Sequence, residues 1–173
     1  MAGVLEVAGV VRHIAEGFGE VVLDRLSQDR GLVVRMVREQ IYAGLDSAGR
    51  FLSPTYDADP YFNEPGQWQG KAYQYKLWKR KITPPIRSYT LNLPPRPNNV
   101  PNLFITGAFF DSIGAEMVGG ALRVTSEGFM EGDDIVAKYG DGILGMGYNP
   151  REYFIGERLR PAIADFFTQC GYR

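Results

Sequence analysis

The chain carries one cysteine, Cys170, and one histidine, His13. A lone thiol closes no internal disulfide, and one thiol with one imidazole falls short of the four ligands of a structural zinc site. A reducing compartment fits. Serine and cysteine nucleophiles usually need a histidine base, and His13 sits in an apolar N-terminal run with no other catalytic signal, so its placement reads as incidental. Cys170, among aromatics near the end, reads as a small buried or half-buried hydrophobe. No apolar run is long enough to cross a bilayer, and the opening MAGVLEVAGVVRH has no basic leader region, which predicts a soluble protein, intracellular when made. Charge of one sign is also missing: 19 basic against 20 acidic side chains leave a net charge of −1. Without a positive field, general nucleic-acid binding by counterion release is not favoured.

What is present is globular. With 45% hydrophobic and 23% charged residues, the 173-residue chain is expected to form one domain, 1–173, whose core needs no staples. Val22, Leu26, Val33, Val37 and Ile41 recur on one helical face, which predicts a long amphipathic helix over residues 19–43, with Gly31 as a point of local break and Gly44 at its end. Residues 44–66, GLDSAGRFLSPTYDADPYFNEPG, are rich in Gly, Pro, Asp and Ser and predict an irregular aromatic loop with one short extended pair. A second helix is expected over 67–82, carrying Trp68, Ala72, Tyr75, Trp78 and Ile82 on one side. Pro84, Pro85, Pro94, Pro95, Pro97 and Pro101 then forbid a helix and predict an extended arm over 83–102, wrapped over its own domain or over a neighbour.

After an extended entry over residues 103–107 that continues through 108–113, the alternation of Ala115, Met117, Ala121, Leu122 and Val124 around Gly119 and Gly120 predicts a hairpin with a Gly-Gly turn. Asn149, Pro150 and Glu152 form a helix-start signature, and Ile155, Leu159, Ile163 and Phe166 continue it, with Pro161 expected to kink or split the helix. The fold class is therefore α+β: a small antiparallel sheet packed with a long N-terminal helix and a C-terminal helix, plus the proline-rich arm.

The string KYGDGILGMG contains G-x-G-x-x-G at Gly140, Gly142 and Gly145. A dinucleotide fingerprint needs a strand before those glycines and a helix directly after them. Here residues 132–138 predict a short helix upstream, with Asp133 and Asp134 in its first turn, and the next helix is postponed to Pro150. The glycines thus read as a helix C-cap and a loop needing positive φ at several positions, with no cofactor.

Asp57, Asp59 and Glu64 offer oxygen ligands for a hard cation, and so a small metal-dependent hydrolase as an alternative function, but the EF-hand spacing and its glycine are not met and Asx-type turns explain them as well. Lys71, Lys76, Lys79, Arg80 and Lys81, interleaved with Trp68, Tyr73, Tyr75 and Trp78, suggest single-strand contact, yet the cations spread around the helix as on a solvated surface. The excess lies elsewhere. Ten tyrosines, ten phenylalanines and two tryptophans crowd partly into the loop and arm. Tyr56, Tyr61, Phe62, Tyr89, Leu91 and Leu93 are accordingly the candidates for contacts with other subunits.

The segments EQIYAGLDSAGRFLSPTYDADPYF, YQYKLWKRKI, PNLFITGAFFDSI and KYGDGILGMGYNPREYFIGERLRPAI together resemble the tail-completion or virion-morphogenesis proteins of tailed bacteriophages, nearest to the versions in crAss-like phages of Bacteroidetes. The resemblance runs from about Gln40 onward, through a G-x-D-x-x-G turn at Gly44, Asp46 and Gly49, an L-x-x-T-G-x-x-x-x-S segment at Leu103, Thr106, Gly107 and Ser112, and Arg151 at the final helix. It implies a structural, non-enzymatic neck subunit made in the host cytoplasm and carried in the virion. Such a subunit assembles with copies of itself into a ring, beside portal, connector and tail proteins, around a channel through which DNA passes without specific binding. The near-neutral charge suits such a conduit.

Overall fold

A computed structural model describes the backbone of residues 2–127 and 132–172, and the side chains of all of these except 2–6 and 132–134. The fold is α+β, with a two-stranded antiparallel sheet set among helices. Helix α1 spans Ala2–Gln28 and α2 spans Arg30–Tyr42. The expected 19–43 helix is thus interrupted, at Asp29 instead of Gly31, and its first part begins far upstream. The break has an electrostatic clamp: the Asp29 carboxylate takes Arg158 Nε at 2.9 Å and Nη2 at 2.8 Å, and Arg25 Nε lies 2.6 Å away. Chiefly the Arg158 hydrogen bond, against a burial cost, holds Asp29 below its ordinary pKa of 3.8. Replacement of Asp29 by asparagine is therefore expected to lower the melting temperature by a few degrees at neutral pH. The difference from the parent should close as pH falls through the lowered value, because a depressed carboxylate stabilises only while ionised.

Helix α2 is the spine of the molecule, because two of its faces are buried. Val33, Met36 and Ala43 pack with Leu91, Leu93 and Phe154, whereas Val34, Val37 and Ile41 pack with Leu52, Val100, Phe109, Phe110, Ile113 and Ile143. The 83–102 arm therefore wraps its own domain. Its turn at residues 88–93 is closed by Ser88 N–H donating to the Leu93 carbonyl at 3.0 Å and is pinned to α2, Glu39 accepting from Ser88 Oγ and from Thr90 N–H.

The loop over 44–66 contains the expected short pair, Leu45 with Phe51, and a 3₁₀ turn at Pro60–Asn63. The G-x-D-x-x-G residues build that pair: Gly44 and Gly49 take φ of 74° and 75°, and Asp46 Oδ1 accepts from Ala48 and Arg50 N–H, both at 2.9 Å. Helix α3, Ala72–Ile82, starts later than the pattern predicts because Gly70 sits at φ 68° after a turn. Trp68 nevertheless stays on the aromatic side, whereas Ile82 is exposed.

The expected extended chain does not continue through 108–113: Gly107 at φ 95° turns the backbone into a short helix, α4, Ala108–Ser112. The predicted hairpin follows as β1, Ile113–Val118, and β2, Ala121–Ser126, paired Ile113 with Ser126 through Val118 with Ala121, and both turn glycines have positive φ. Helix α5 spans Gly132–Tyr139; Asp133 and Asp134 lie outside the described side chains. Helix α6, Tyr148–Phe154, runs into a π-type turn, Ile155–Leu159, and then α7, Arg160–Gln169. The π turn lies just ahead of Pro161, at the first turn of α7, and accommodates its missing N–H. The expected Asn149 cap is displaced: Gly147 precedes the helix, and Asn149 instead donates to the Leu91 carbonyl at 3.1 Å, tying α6 to the arm.

Candidate functional site

The glycine-rich string is structural. Gly140 caps α5 at φ 84°, but a 3₁₀ turn follows at Asp141–Leu144 and Gly145 takes φ −82°, so the expectation of several positive-φ positions fails beyond Gly140. The later glycines are needed for space. An added Cβ at Gly145 would meet Ser47 Cβ at 2.8 Å, and one at Gly147 would meet Gln40 Oε1 at 2.6 Å. Gln40, buried in α2, accepts from Gly147 N–H at 2.8 Å and donates to the Gly145 carbonyl at 3.0 Å. One amide side chain thus ties the loop to α2 through a single N–H and a single carbonyl.

The aromatic residues of loop and α3 assemble around Tyr75. Tyr56, Phe62, Trp68 and Trp78 all set their rings 5.1–5.3 Å from it, mostly edge to face. Such arrangements add to area burial because ring edges meet ring faces. Beside this cluster lies an open cavity of about 580 Å³, lined also by α4, α5 and the segment around Leu103–Thr106. Its walls are mainly apolar, and three charged groups reach it.

Asp59 and Lys138 neutralise each other, with Lys138 Nζ 2.7 Å from both carboxylate oxygens; Asp59 also caps the Pro60–Asn63 turn through Tyr61 N–H. The third group is Lys79, near the end of α3, only 2% exposed. Its ammonium donates to the Phe104 carbonyl, and among the described residues no carboxylate pairs with it. Burial, with a contribution from the nearby Arg96 guanidinium, pushes its pKa down to about 7. Burial likewise pushes the Tyr56, Tyr75 and Tyr139 phenols well above their ordinary value. Arg96, from the arm, is itself buried: Nη2 donates to the Thr83 carbonyl at 2.8 Å and the guanidinium lies 5.8 Å from the centre of the Tyr42 ring, while Nε and Nη1 have no hydrogen-bond partner among the described residues.

The residues singled out from sequence divide sharply. Tyr56 and Phe62 are buried in the aromatic cluster, and Leu91 and Leu93 in the core against α2. These four are therefore corrected as contact candidates: the chain buries them itself, because the arm and loop fold back onto α2 and α3. Tyr61 remains 47% exposed at the cavity and Tyr89 is 93% exposed at the tip of the arm's turn. The acidic group is dispersed. Asp57 pairs with Lys76 and Asp59 with Lys138, and among the described residues no three His, Cys, Asp or Glu side chains stand together as a metal site. The basic helix is divided too, since Lys79 is buried and Lys76 paired while Arg80 and Lys81 face outward. His13 stacks on Phe166 at 6.2 Å, and Cys170 is half-buried without a disulfide. Among the described residues, no helix is long and apolar enough to cross a membrane.

Sequence periodicity marked the aromatic residues of the cavity but not Lys79 as its charged wall. The available signal was its position: Lys79 lies four residues after Tyr75, on the same helical face. Comparison of the chain with protein-family models, curated proteins and solved structures gives no match.

Proposed function

We propose that this chain is a structural protein of a tailed-phage virion, a neck or tail-completion subunit that assembles with copies of itself into a ring around the DNA channel. The observation that carries the proposal is the helical pair at one end of the molecule. Between residues 7 and 20 of α1 no side chain is buried, and α7, which packs on it, has none buried either. Yet this pair is apolar: Val7 is 63% exposed, Val11 59% and Phe18 40%, although Phe18 touches Phe167 and Gly17 lets Phe166 approach closely. Exposed apolar side chains that recur along one helix beside a second helix with no buried face mark a candidate interaction site, although α3 also exposes Tyr73, Leu77 and Ile82.

Tyr89 supports the same reading from the opposite kind of structure, a single aromatic held outward on a turn that Glu39 fixes. An aromatic presented at low conformational cost is what subunit contacts use. The resemblance supplies the setting, with portal, connector and tail proteins as neighbours, and the net charge of −1 suits a wall past which DNA slides. Sedimentation of the purified full chain tests the proposal: a discrete assembly of several chains is expected, and a species that stays monomeric as concentration rises contradicts it.

A further inference from the structure

The cavity beside α3 raises a question that assembly does not answer: why an amine is buried at its wall without an acid. We propose that this cavity is a binding site for a small, flat, apolar molecule bearing one carboxylate or equivalent monoanion, its ring system against Trp68 and Trp78 and its anionic group against Lys79. The inference does not rest on the assembly reading.

Three observations converge on that chemistry. The volume of about 580 Å³ and the largely apolar walls, rich in aromatic rings, suit a ring system. Asp59 is already occupied through both oxygens by Lys138, so the acidic wall is neutral and offers a cationic ligand no free partner. Lys79 lines the cavity, is buried, and among the described residues its ammonium donates to one neutral carbonyl, which leaves donors for an anion.

Every element facing Lys79 has the same consequence. The arm contributes Arg96, α3 contributes Tyr75, the loop contributes Tyr56 and the Asp59 partner of Lys138, α5 contributes Lys138 and Tyr139, and α4 carries the exposed Asp111, whose Oδ2 is 3.8 Å from where a Cβ on Gly107 would stand. The phenols stay neutral at physiological pH because burial raises them, so the buried charges on this side without an acidic partner among the described residues are Lys79 and Arg96, both positive, while Asp111 is out in solvent. A bound anion supplies the missing negative charge and draws a proton onto Lys79. Binding is then coupled to proton uptake above about pH 7, where the free amine is otherwise neutral.

The test uses the full chain, with 2-naphthoate as probe and 2-naphthamide as its neutral counterpart. Both tryptophans of the chain line the cavity, so both indole N–H resonances report its occupation. Naphthoate is expected to shift both and, at pH 6.5, to bind about tenfold more tightly than the amide, a preference of about 1.4 kcal/mol that fades by pH 9. Lys79→Met, which is unbranched, uncharged and one heavy atom shorter, should bind the two probes equally. Equal affinities in the parent at pH 6.5, an acid preference that survives Lys79→Met, or indole resonances that neither probe moves would each overturn the proposal. The parent chain's pH comparison stands whether or not the variant folds.

Discussion

Between pH 6.5 and 9.5 the folded chain is expected to gain about 2–3 kcal/mol of stability, and Lys79→Met should abolish most of that gain. The sign follows from the amine. Lys79 titrates near 7 when folded and at its ordinary 10.5 when unfolded, so between those values the unfolded chain holds the extra proton. Raising the pH removes that advantage, and stability climbs until the ordinary value is reached. Burial is the larger cause and the Arg96 guanidinium the smaller. The Tyr56, Tyr75 and Tyr139 phenols act in the other direction only above pH 10, since their raised values make the unfolded chain lose protons first there. Urea denaturation at half-unit steps from pH 6.5 to 9.5 separates the two. A flat profile in the parent chain would show that Lys79 is not held neutral by its surroundings. At the low end of the range Lys79→Met should be more stable than the parent, because it removes a desolvated charge without opening a cavity.

The other large effect belongs to the Gln40 bridge. Gln40→Leu is expected to cost about 2–4 kcal/mol, because it strands the buried Gly147 N–H and the Gly145 carbonyl while filling similar volume. Gly147→Ala should cost about as much by a different route: the new methyl would stand 2.6 Å from Gln40 Oε1, so Gln40 must leave both of its hydrogen bonds. The two are therefore coupled. In a Gln40→Ala background the alanine at position 147 has room, and its cost should fall by more than about 1 kcal/mol. Additive costs in the four-variant denaturation cycle would contradict the geometry.

The contrast between these two sites shows what the sequence made legible. The hairpin was readable because period-two alternation and a Gly-Gly pair are local signals, and α5 and the split near Pro161 were readable for the same reason. The break at Asp29 was not. It is fixed by Arg158, 129 residues away, and no local pattern contains that partner. The glycines at 145 and 147 looked like conformational requirements, whereas their use is close approach to Ser47 and Gln40, across about a hundred residues of chain.

The aromatic content misled for a physical reason. Tyr56, Phe62, Leu91 and Leu93 lie in proline-rich, irregular text, where burial has no periodic signature. Once the arm lies along α2 and the loop along α3, those side chains become core, and the apolar side chains left exposed include Val7, Val11 and Phe18 on the first half of α1, outside the loop and arm. Lys79 was visible as one cation among five; only the packing of Phe104 and Arg96 beside it makes it the one that titrates near neutrality.

Assembly through the α1 and α7 pair is tested most directly by sedimentation equilibrium of the full chain, run beside a Val11→Ser, Phe18→Ser double variant. Both side chains are at least 40% exposed, so the fold should tolerate the change. The parent is expected to sediment as a discrete multiple of the 19.3 kDa chain and the variant to shift at least tenfold toward monomer, a change of about 1.4 kcal/mol or more per contact. A parent chain that remains monomeric across the concentration range, or a variant that associates as well as the parent, would contradict the account.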